Sequence, residues 1–235
     1  MREQHFRFKH FCIIQEKSAM KVGIDSVMLG SWADVSGYSR ILDVGTGTGL
    51  LALMMAQRSD ASIDAVEIET AAANEAALNF KNSPWNNRLH LFCSDFLSYE
   101  PSCKYSHIIS NPPFFDISSL SNSPRTVARQ THSLDMSRFL SKTVTLLDKH
   151  GKISLVLPAV KEESLHFLAF DHKLFISRLC RVAPDERKKH HRILVELSTV
   201  DVPASYDELF IRNAVTGEYS EQYKALTSDF YIDSL

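Results

Sequence analysis

The sequence predicts an α/β fold with a doubly wound, mostly parallel, seven-stranded sheet. Short runs rich in β-branched residues alternate with longer segments of helical periodicity, which is the pattern of such a sheet. A cluster of glycines lies at the first passage from a sheet strand to a helix, between residues 45 and 49. The 235 residues are 44% apolar and 23% charged, values typical of a globular chain with one large domain.

The predicted elements follow one another in β-α order. The seven strands are predicted at residues 40–44, 62–67, 89–94, 106–110, 152–157, 175–182 and 192–200. The helices are predicted at residues 50–58, 70–82, 133–147 and 161–170. The third of these helices has the clearest apolar face, because Phe139, Leu140, Val144 and Leu147 recur at helical spacing.

Three further segments flank this pattern. Residues 6–9 alternate like a short strand, and Asp25 is placed to cap a helix that ends at Trp32. An apolar stripe near the end of the chain predicts a helix packed on the core, and its members are Tyr219, Tyr223, Leu226 and Phe230. We therefore expect an N-terminal elaboration over residues 1–36 and the main domain over residues 37–235, together one compact unit.

The composition excludes membrane-spanning and disulfide-rich classes of protein. The longest clean apolar run, residues 50–56, has seven residues, whereas a membrane helix needs about 18 or more. The first residues contain no apolar run with a cleavage pattern after it, so we expect a cytoplasmic protein. The four cysteines, at positions 12, 93, 103 and 180, form no C-x-x-C pair, and we expect neither a disulfide framework nor a bound metal.

The net charge of −2 conceals two basic groups. The first has one acidic residue among four basic ones, which are Arg125, Arg129, Arg138 and Lys142. The second has two acidic residues among six basic ones, which are Arg178, Arg181, Arg187, Lys188, Lys189 and Arg192. Such groups line polyanion sites or form solvated faces, and charge alone does not decide between the two.

The first candidate site is the glycine-rich segment LDVGTGTG, residues 42–49. Gly45, Gly47 and Gly49 follow a predicted strand and precede a predicted helix, where the backbone must turn tightly and approach a ligand. Their G-x-G-x-G spacing differs from the G-x-G-x-x-G of a dinucleotide-binding loop, and Asp43 precedes them. A carboxylate at this place repels phosphate and suits a ligand with an amino group. A purely structural glycine turn is the alternative.

Acidic residues follow at the ends of the next two strands. Glu67 lies 18 residues beyond Gly49, at an interval where a carboxylate can accept hydrogen bonds from both hydroxyls of a ribose. Asp95 follows the third strand, where its carboxylate is placed to accept from an adenine amino group and Phe96 to cover the base. A plain turn at the end of a strand is the alternative for each acid.

The fourth element is Asn111-Pro112-Pro113-Phe114, directly after the fourth predicted strand. The prolines fix the backbone, so the Asn111 side chain and the Pro112 carbonyl can together accept the two hydrogens of a planar amino group. Phe114 supplies a face on which a planar ring can stack. A structural Asn-Pro-Pro turn becomes a weaker explanation once the glycine loop is considered with it.

Together these residues resemble the class I S-adenosylmethionine-dependent methyltransferases, in the branch that methylates amino nitrogens and carries an N-P-P-[FY] signature. Residues 19–25, 83–85, 124–129 and 219–231 extend the resemblance to the bacterial tRNA1(Val) adenine N6-methyltransferases over nearly the whole chain. The resemblance implies a Rossmann-like fold, S-adenosylmethionine as the cofactor, and the adenine immediately 3′ of the anticodon as the target. It also implies that Ile68 contacts the cofactor. Phe114 stands where relatives often have tyrosine, which keeps the stacking face.

This interpretation implies direct in-line transfer, with the protein positioning the reactants. The candidates for binding the anticodon stem-loop of the tRNA are Arg125, Arg129, Arg187, Lys188, Lys189 and Arg192. Lys21 and Asp25 either contact the cofactor or cap and cover the N-terminal helix. Two alternatives remain open: N5-methylation of a glutamine in release factors, which usually comes with a larger domain before the glycine loop, and an RNA-binding module without activity.

Overall fold

A computed structural model describes residues 4–18, 21–112 and 135–232 of the chain. The strands are β1 (His5–Arg7), β2 (Cys12–Ile14), β3 (Arg40–Val44), β4 (Ser62–Glu67), β5 (Leu89–Cys93), β6 (Tyr105–Ser110), β7 (Leu147–Pro158), β8 (Phe175–Ala183), β9 (Arg192–Ser198) and β10 (Ser205–Phe210). The helices are α1 (Ile24–Trp32), α2 (Leu50–Arg58), α3 (Thr70–Lys81), α4 (Met136–Leu146), α5 (Glu162–Asp171) and α6 (Glu221–Thr227). Short 3-10 turns cover Asn86–Arg88, Phe96–Ser98 and Ala159–Lys161.

The main sheet has the strand order β10-β8-β9-β7-β6-β3-β4-β5. Among these strands only β9 runs antiparallel to its neighbours, so β3, β4, β5, β6 and β7 all end at one edge, which we call the carboxyl edge. The predicted doubly wound, mostly parallel sheet is thus confirmed. In an open sheet of this kind, ligands bind outside the carboxyl ends of the strands.

The sheet has eight strands, so the predicted count of seven is wrong. The additional strand, β10, pairs with β8 in parallel at the edge of the sheet, with Ser205 opposite Arg178 and Phe210 opposite Ala183. Its sequence SYDELF is polar and most of its side chains are exposed, with Leu209 buried. An edge strand of this composition lacks the apolar run that marks the other strands, which is why the sequence did not reveal it.

The N-terminal elements differ from their predictions in two ways. The first strand ends at Arg7 and pairs with β2 in a separate two-stranded sheet, while Phe8 leaves the strand and stacks on Phe11 with ring centroids 4.7 Å apart. Asp25 does not cap α1, because the helix begins after Gly23 and the Asp25 carboxylate accepts a hydrogen bond from Arg192 instead.

The predicted C-terminal helix packs on the core as expected, but it is short. It covers Glu221–Thr227, and the Ser220 hydroxyl accepts a hydrogen bond from the Tyr223 amide at its N-terminus. Tyr223 and Phe230 are both fully buried, the first inside the helix and the second three residues after it.

Apolar side chains cover both faces of the main sheet. One cluster joins the N-terminal hairpin, formed by β1 and β2, and α1, α2, α3 and α6 to the main sheet, for example through Ile13, Leu53 and Tyr223. The other joins α4 and α5 to the opposite face, for example through Phe139 and Leu165. Each such side chain contributes roughly 1.5–3 kcal/mol when it is fully buried. In the described ranges, no helix combines the length and the apolar character needed to cross a membrane.

Candidate active site

The glycine loop turns between β3 and α2 at the carboxyl edge. Gly45, Gly47 and Gly49 have φ angles of 69°, 59° and 86°, in the left-handed region that favours glycine. A Cβ atom at Gly45 or Gly47 would meet no atom of the described residues within 4 Å, whereas at Gly49 it would lie 2.5 Å from the Phe80 ring. Gly49 therefore permits close packing of α3, and the other two leave an open surface that a ligand can approach.

Asp43 supports the glycine loop through hydrogen bonds of its buried side chain. Its side chain is fully buried, and Oδ2 accepts hydrogen bonds from the Thr46 hydroxyl at 2.5 Å and from the Ala52 amide at 3.0 Å. Burial raises the pKa of Asp43 to about 7, an effect that these hydrogen bonds partly offset and that the nearby Glu67 carboxylate increases. Oδ1 is buried without a hydrogen-bond partner among the described residues, and the contact of Asp43 with a ligand's amino group stays a prediction.

Glu67 and Ile68 lie beside this open surface. Glu67 accepts a hydrogen bond from the Gly47 amide through Oε2, at 2.8 Å, and one from the Glu69 amide through Oε1, at 2.9 Å. Each carboxylate oxygen has two lone pairs, so both can still accept a hydroxyl group. The Ile68 residue is 50% exposed and offers an apolar surface next to these acceptors. This pairing suits a nucleoside, which has a diol and a flat base.

The residues after β5 only partly match their prediction. Asp95 is exposed, and its Oδ1 accepts a hydrogen bond from the Leu97 amide at 3.0 Å. Phe96 is only 6% exposed, and its ring packs 5.4 Å from that of Phe139 in the core. The ring of Phe96 therefore belongs to the core instead of the open surface, and Ile68 offers an exposed apolar surface on this side.

Asn111 and Pro112 follow the end of β6, the strand next to β3. The last residue of β6, Ser110, donates a hydrogen bond to the Val44 carbonyl at 2.7 Å, which fixes this strand end against the glycine loop. The Asn111 amide nitrogen donates to the Ser26 hydroxyl of α1 at 2.9 Å, and Oδ1 receives no hydrogen bond from the described residues. The amide thus has a set orientation with its acceptor oxygen available. Pro113 and Phe114 lie outside the described residues.

Comparisons with known proteins fit this arrangement. A family model described as "Methyltransferase small domain" matches residues 18–167. A protein named tRNA1(Val) (adenine(37)-N6)-methyltransferase from Vibrio parahaemolyticus is 43% identical over 229 residues, which are 97% of this chain and 95% of that protein. One of the same name from Bacteroides thetaiotaomicron is 39% identical, with 99% of each chain covered. The chain belongs to the tRNA1(Val) adenine N6-methyltransferase family.

Solved structures of other methyltransferases share the fold of this chain. A predicted O-methyltransferase from Agrobacterium tumefaciens superposes with a TM-score of 0.68 at 16% identity, covering 88% of this chain and 96% of that one. The magnesium protoporphyrin IX methyltransferase of Synechocystis, solved with bound SAM, superposes with a TM-score of 0.52 at 18% identity over 75% of this chain and 77% of that one. The fold is the Rossmann-like class I methyltransferase fold.

The second basic group of this methyltransferase is largely neutralised by its own acids. Ion pairs join Arg178 to Glu196, Arg181 to Glu162, Lys188 to Asp185 and Arg192 to Asp25, at distances of 3.0, 2.5, 3.4 and 2.8 Å. Arg187 and Lys189 are exposed and form no ion pair within the described ranges. Both belong to residues 184–191, which we call the basic loop and which connects β8 to β9 at the carboxyl edge. Arg125 and Arg129 lie outside the described residues.

Arg192 and Asn111 share a support on α1. The Arg192 Nε donates to Asp25 and its Nη1 to the His191 carbonyl at 3.0 Å. Asp25 and Ser26 are neighbours in the first turn of α1, so one helical turn holds both Arg192 and the Asn111 amide. Arg192 remains a candidate for a phosphate contact through its remaining donors.

Two buried polar residues of α3, Glu75 and Asn79, were not found by sequence reasoning. The Asn79 side chain accepts from the Ile14 amide at 2.8 Å and donates to the carbonyls of Ile14 and Thr48, at 3.0 and 2.8 Å. Glu75 accepts hydrogen bonds from the amides of Lys17 and Ser18. Together they hold residues 14–18 against α3, and Asn79 also supports the glycine loop. The available signal was their i, i+4 spacing within the otherwise apolar buried face of α3.

Lys21 supports the same N-terminal segment. Its ammonium group donates hydrogen bonds to the carbonyls of Gln15 and Glu16. The Gln15 side chain in turn accepts a hydrogen bond from the Val22 amide at 2.8 Å. Lys21 thus ties residues 15 and 16 to the segment that directly precedes α1.

Proposed function

We propose that this chain transfers a methyl group from S-adenosylmethionine to N6 of the adenine immediately 3′ of the anticodon in tRNA1(Val). The family membership supports the reaction and the substrate, since relatives of this name align over nearly the whole chain. The observation that carries the proposal at the site is the Asn111 amide, oriented by Ser26 at the end of β6 beside the glycine loop.

The residues around the glycine loop fit the cofactor. The open surface at Gly45 and Gly47 admits the close approach of a ligand to the backbone, and Glu67 has lone pairs for the ribose hydroxyls. Ile68 offers an apolar surface for the adenine, with the exposed carboxylate of Asp95 as an acceptor for its amino group. The buried carboxyl of Asp43 favours a ligand that brings positive charge. When bound, S-adenosylmethionine supplies the methyl group as an electrophile on its sulfonium.

Asn111 and Pro112 orient the target amine. The lone pair of adenine N6 is delocalised into the ring, which makes this nitrogen a weak nucleophile. Acceptance of its two hydrogens by Asn111 Oδ1 and the Pro112 carbonyl favours the more tetrahedral nitrogen of the transition state. The extra proton of the methylated amine leaves to water. Stacking of the target base on Phe114 remains part of the proposal, and a base in an anticodon loop is unstacked at modest cost.

The basic loop is suited to hold the RNA backbone. Arg187, Lys188 and Lys189 are exposed on the edge at which Asn111 lies, and long-range attraction to phosphates guides RNA to that edge. We assign these three residues, with Arg125, Arg129 and Arg192, to contacts with the anticodon stem-loop. In this assignment Asn111 recognises the target base for the chemical step, and the basic loop binds phosphates and so positions the RNA.

Nucleoside mass spectrometry tests the proposal. The full chain is incubated with labelled S-adenosylmethionine and either tRNA1(Val) transcript or the same transcript with guanine in place of the target adenine. We expect N6-methyladenosine in the first RNA only. Asn111→Ala should lower the single-turnover rate roughly a hundredfold to a thousandfold, equivalent to about 2.7–4 kcal/mol, with cofactor affinity retained.

A release factor offered as a second substrate separates the main alternative. Label on a glutamine of the release factor and none in the RNA would show that the chain is a protein methyltransferase. Absence of label from both, together with no measurable cofactor binding, would instead support an inactive RNA-binding module.

A further inference from the structure

A second loop projects from the carboxyl edge beside the basic loop. Residues 211–220, which we call the C-terminal hairpin, follow β10 and are closed by a bridge between Arg212 and Tyr219. The hairpin extends the pairing of β10 with β8, because the amides of Ile211 and Arg212 donate to the carbonyls of Ala183 and Pro184, at 3.0 and 2.9 Å. It therefore lies at the same edge as Asn111.

The C-terminal hairpin is held in one shape and tied to the basic loop. The Asn213 side chain accepts hydrogen bonds from the amides of Val215 and Thr216, at 2.8 and 3.0 Å. Glu186 of the basic loop accepts from the Ala214 amide at 2.9 Å. This carboxylate is thus engaged with backbone between the two loops, and a ligand that meets one loop meets the other in a defined position.

Arg212 is fixed in place and has no carboxylate partner among the described residues. Its guanidinium carbon lies 4.3 Å from the centroid of the Tyr219 ring, and Nη1 donates to the Gly217 carbonyl at 2.8 Å. Tyr219 in turn stacks on Tyr223, with centroids 4.9 Å apart and planes 17° from parallel, and Tyr223 is fully buried. Arg212 itself is exposed, so its remaining guanidinium donors are available to a ligand.

This arrangement differs from that of the arginines that form ion pairs within the fold. In the described ranges, four arginines pair with a carboxylate, namely Arg40, Arg178, Arg181 and Arg192. Arg212 forms no such pair within the described ranges. An arginine that is already oriented loses little rotamer freedom when it binds a planar anion, and its fork of donors matches a phosphate.

We infer that the C-terminal hairpin and the basic loop form one phosphate-binding ridge for RNA, with Arg212 as its outer contact. The inference rests on the proposed function. Four strand spacings separate β10 from β6 in the sheet, which places the hairpin about 19 Å from the strand end that carries Asn111. At that distance Arg212 contacts RNA several nucleotides away from the target base. It therefore contributes to binding the folded tRNA and not to recognition of the adenine.

The test compares Arg212→Ala with wild type on two RNAs. One is the whole tRNA and the other a short single-stranded oligonucleotide around the target adenine. We expect about tenfold weaker binding of the whole tRNA at low salt, and a salt slope reduced by about one. Methylation of the short oligonucleotide and cofactor affinity should stay at wild-type levels. Lys149 is an exposed cation near the start of β7, at the opposite edge of the sheet, so Lys149→Ala is the matched control. It should change neither the affinity for the whole tRNA nor the salt slope.

Tyr219 variants test the fixed orientation separately from the charge. Tyr219→Phe keeps the ring under Arg212 and should bind tRNA like wild type, whereas Tyr219→Ala keeps the charge but frees the guanidinium and should bind more weakly. Circular dichroism confirms that each variant is folded. If Arg212→Ala binds tRNA with the affinity and salt slope of wild type, the inference is overturned. Methylation of the tRNA by the wild-type protein would still uphold the proposed function in that case. If wild-type protein neither binds nor methylates the tRNA, the proposed function fails first.

Discussion

Asn in place of Asp43 isolates the effect of one buried carboxyl on stability. The pKa of Asp43 is raised from 3.8 to about 7, so the folded protein holds this proton more tightly than the unfolded chain does. The unfolding free energy therefore falls as pH rises from about 4 to about 7 and levels off above. The difference of 7 − 3.8 = 3.2 pKa units corresponds to about 4 kcal/mol over the whole range.

Asp43→Asn retains an oxygen that can accept from Thr46 and Ala52, but it carries no charge at any pH. Between pH 5 and pH 8, the unfolding free energy of wild type should fall by about 3 kcal/mol relative to that of the variant. The fall occurs over roughly two pH units of this window, below the folded-state pKa of Asp43. Urea unfolding of both proteins at several pH values measures this difference, and contributions from all other groups cancel. Parallel stability curves for the two proteins would refute the titration of Asp43 in this range.

The same variant tests how Asp43 responds to the cofactor. A cation bound beside this carboxyl favours its ionised form, so wild type should release a proton on binding and bind more tightly as pH rises through about 7. Calorimetry in two buffers of different ionisation enthalpy measures the released proton. The cofactor's own amino group titrates in both experiments, and the comparison with Asp43→Asn removes its contribution. Equal proton release by both proteins would show that Asp43 does not sense the ligand's charge.

Further variants separate the roles of neighbouring residues. Ser26→Ala should lower the single-turnover methylation rate without changing cofactor affinity, because the Asn111 amide loses its support, and Ser26→Thr should restore it. Gly47→Ala places a side chain at a φ of 59° on the open surface and should weaken cofactor binding in calorimetry. Gly49→Ala should instead lower the melting temperature, since its methyl group meets the core. Glu67→Ala should weaken cofactor binding by about 1.5–3 kcal/mol, and unchanged affinity would contradict its assignment to the ribose.

Local patterns predicted the centre of the fold correctly. The bounds of β3, α2 and β4 match their predictions, because apolar runs, helical spacing and the glycine cluster all agree there. β10 escaped prediction because an edge strand that is mostly exposed needs no apolar run. β7 begins at Leu147, five residues before the predicted start at 152, since residues 148–150 near its start are polar and exposed and therefore lack the apolar pattern of a buried strand.

Contacts between distant parts of the chain were beyond sequence reasoning. Asp25 and Arg192 are separated by 167 residues, so the sequence showed a basic group where the structure shows an ion pair. Ser26 and Asn111 are 85 residues apart, and no local pattern indicates that one orients the other. Residue types at the ends of strands predicted candidate ligand contacts, while the partners that fix their orientation come from the tertiary fold.

The link from Asn79 to Ile14 has a consequence for the order of events during synthesis. The N-terminal hairpin leaves the ribosome before α3, and its hydrogen-bonding partner lies 65 residues later in the chain. At about 5–20 residues per second, the hairpin waits roughly 3 to 13 seconds for that partner. The carbonyl of Thr48 also receives its hydrogen bond from the Asn79 side chain, which is synthesised later. The nascent glycine loop therefore acquires its final support only after α3 has emerged.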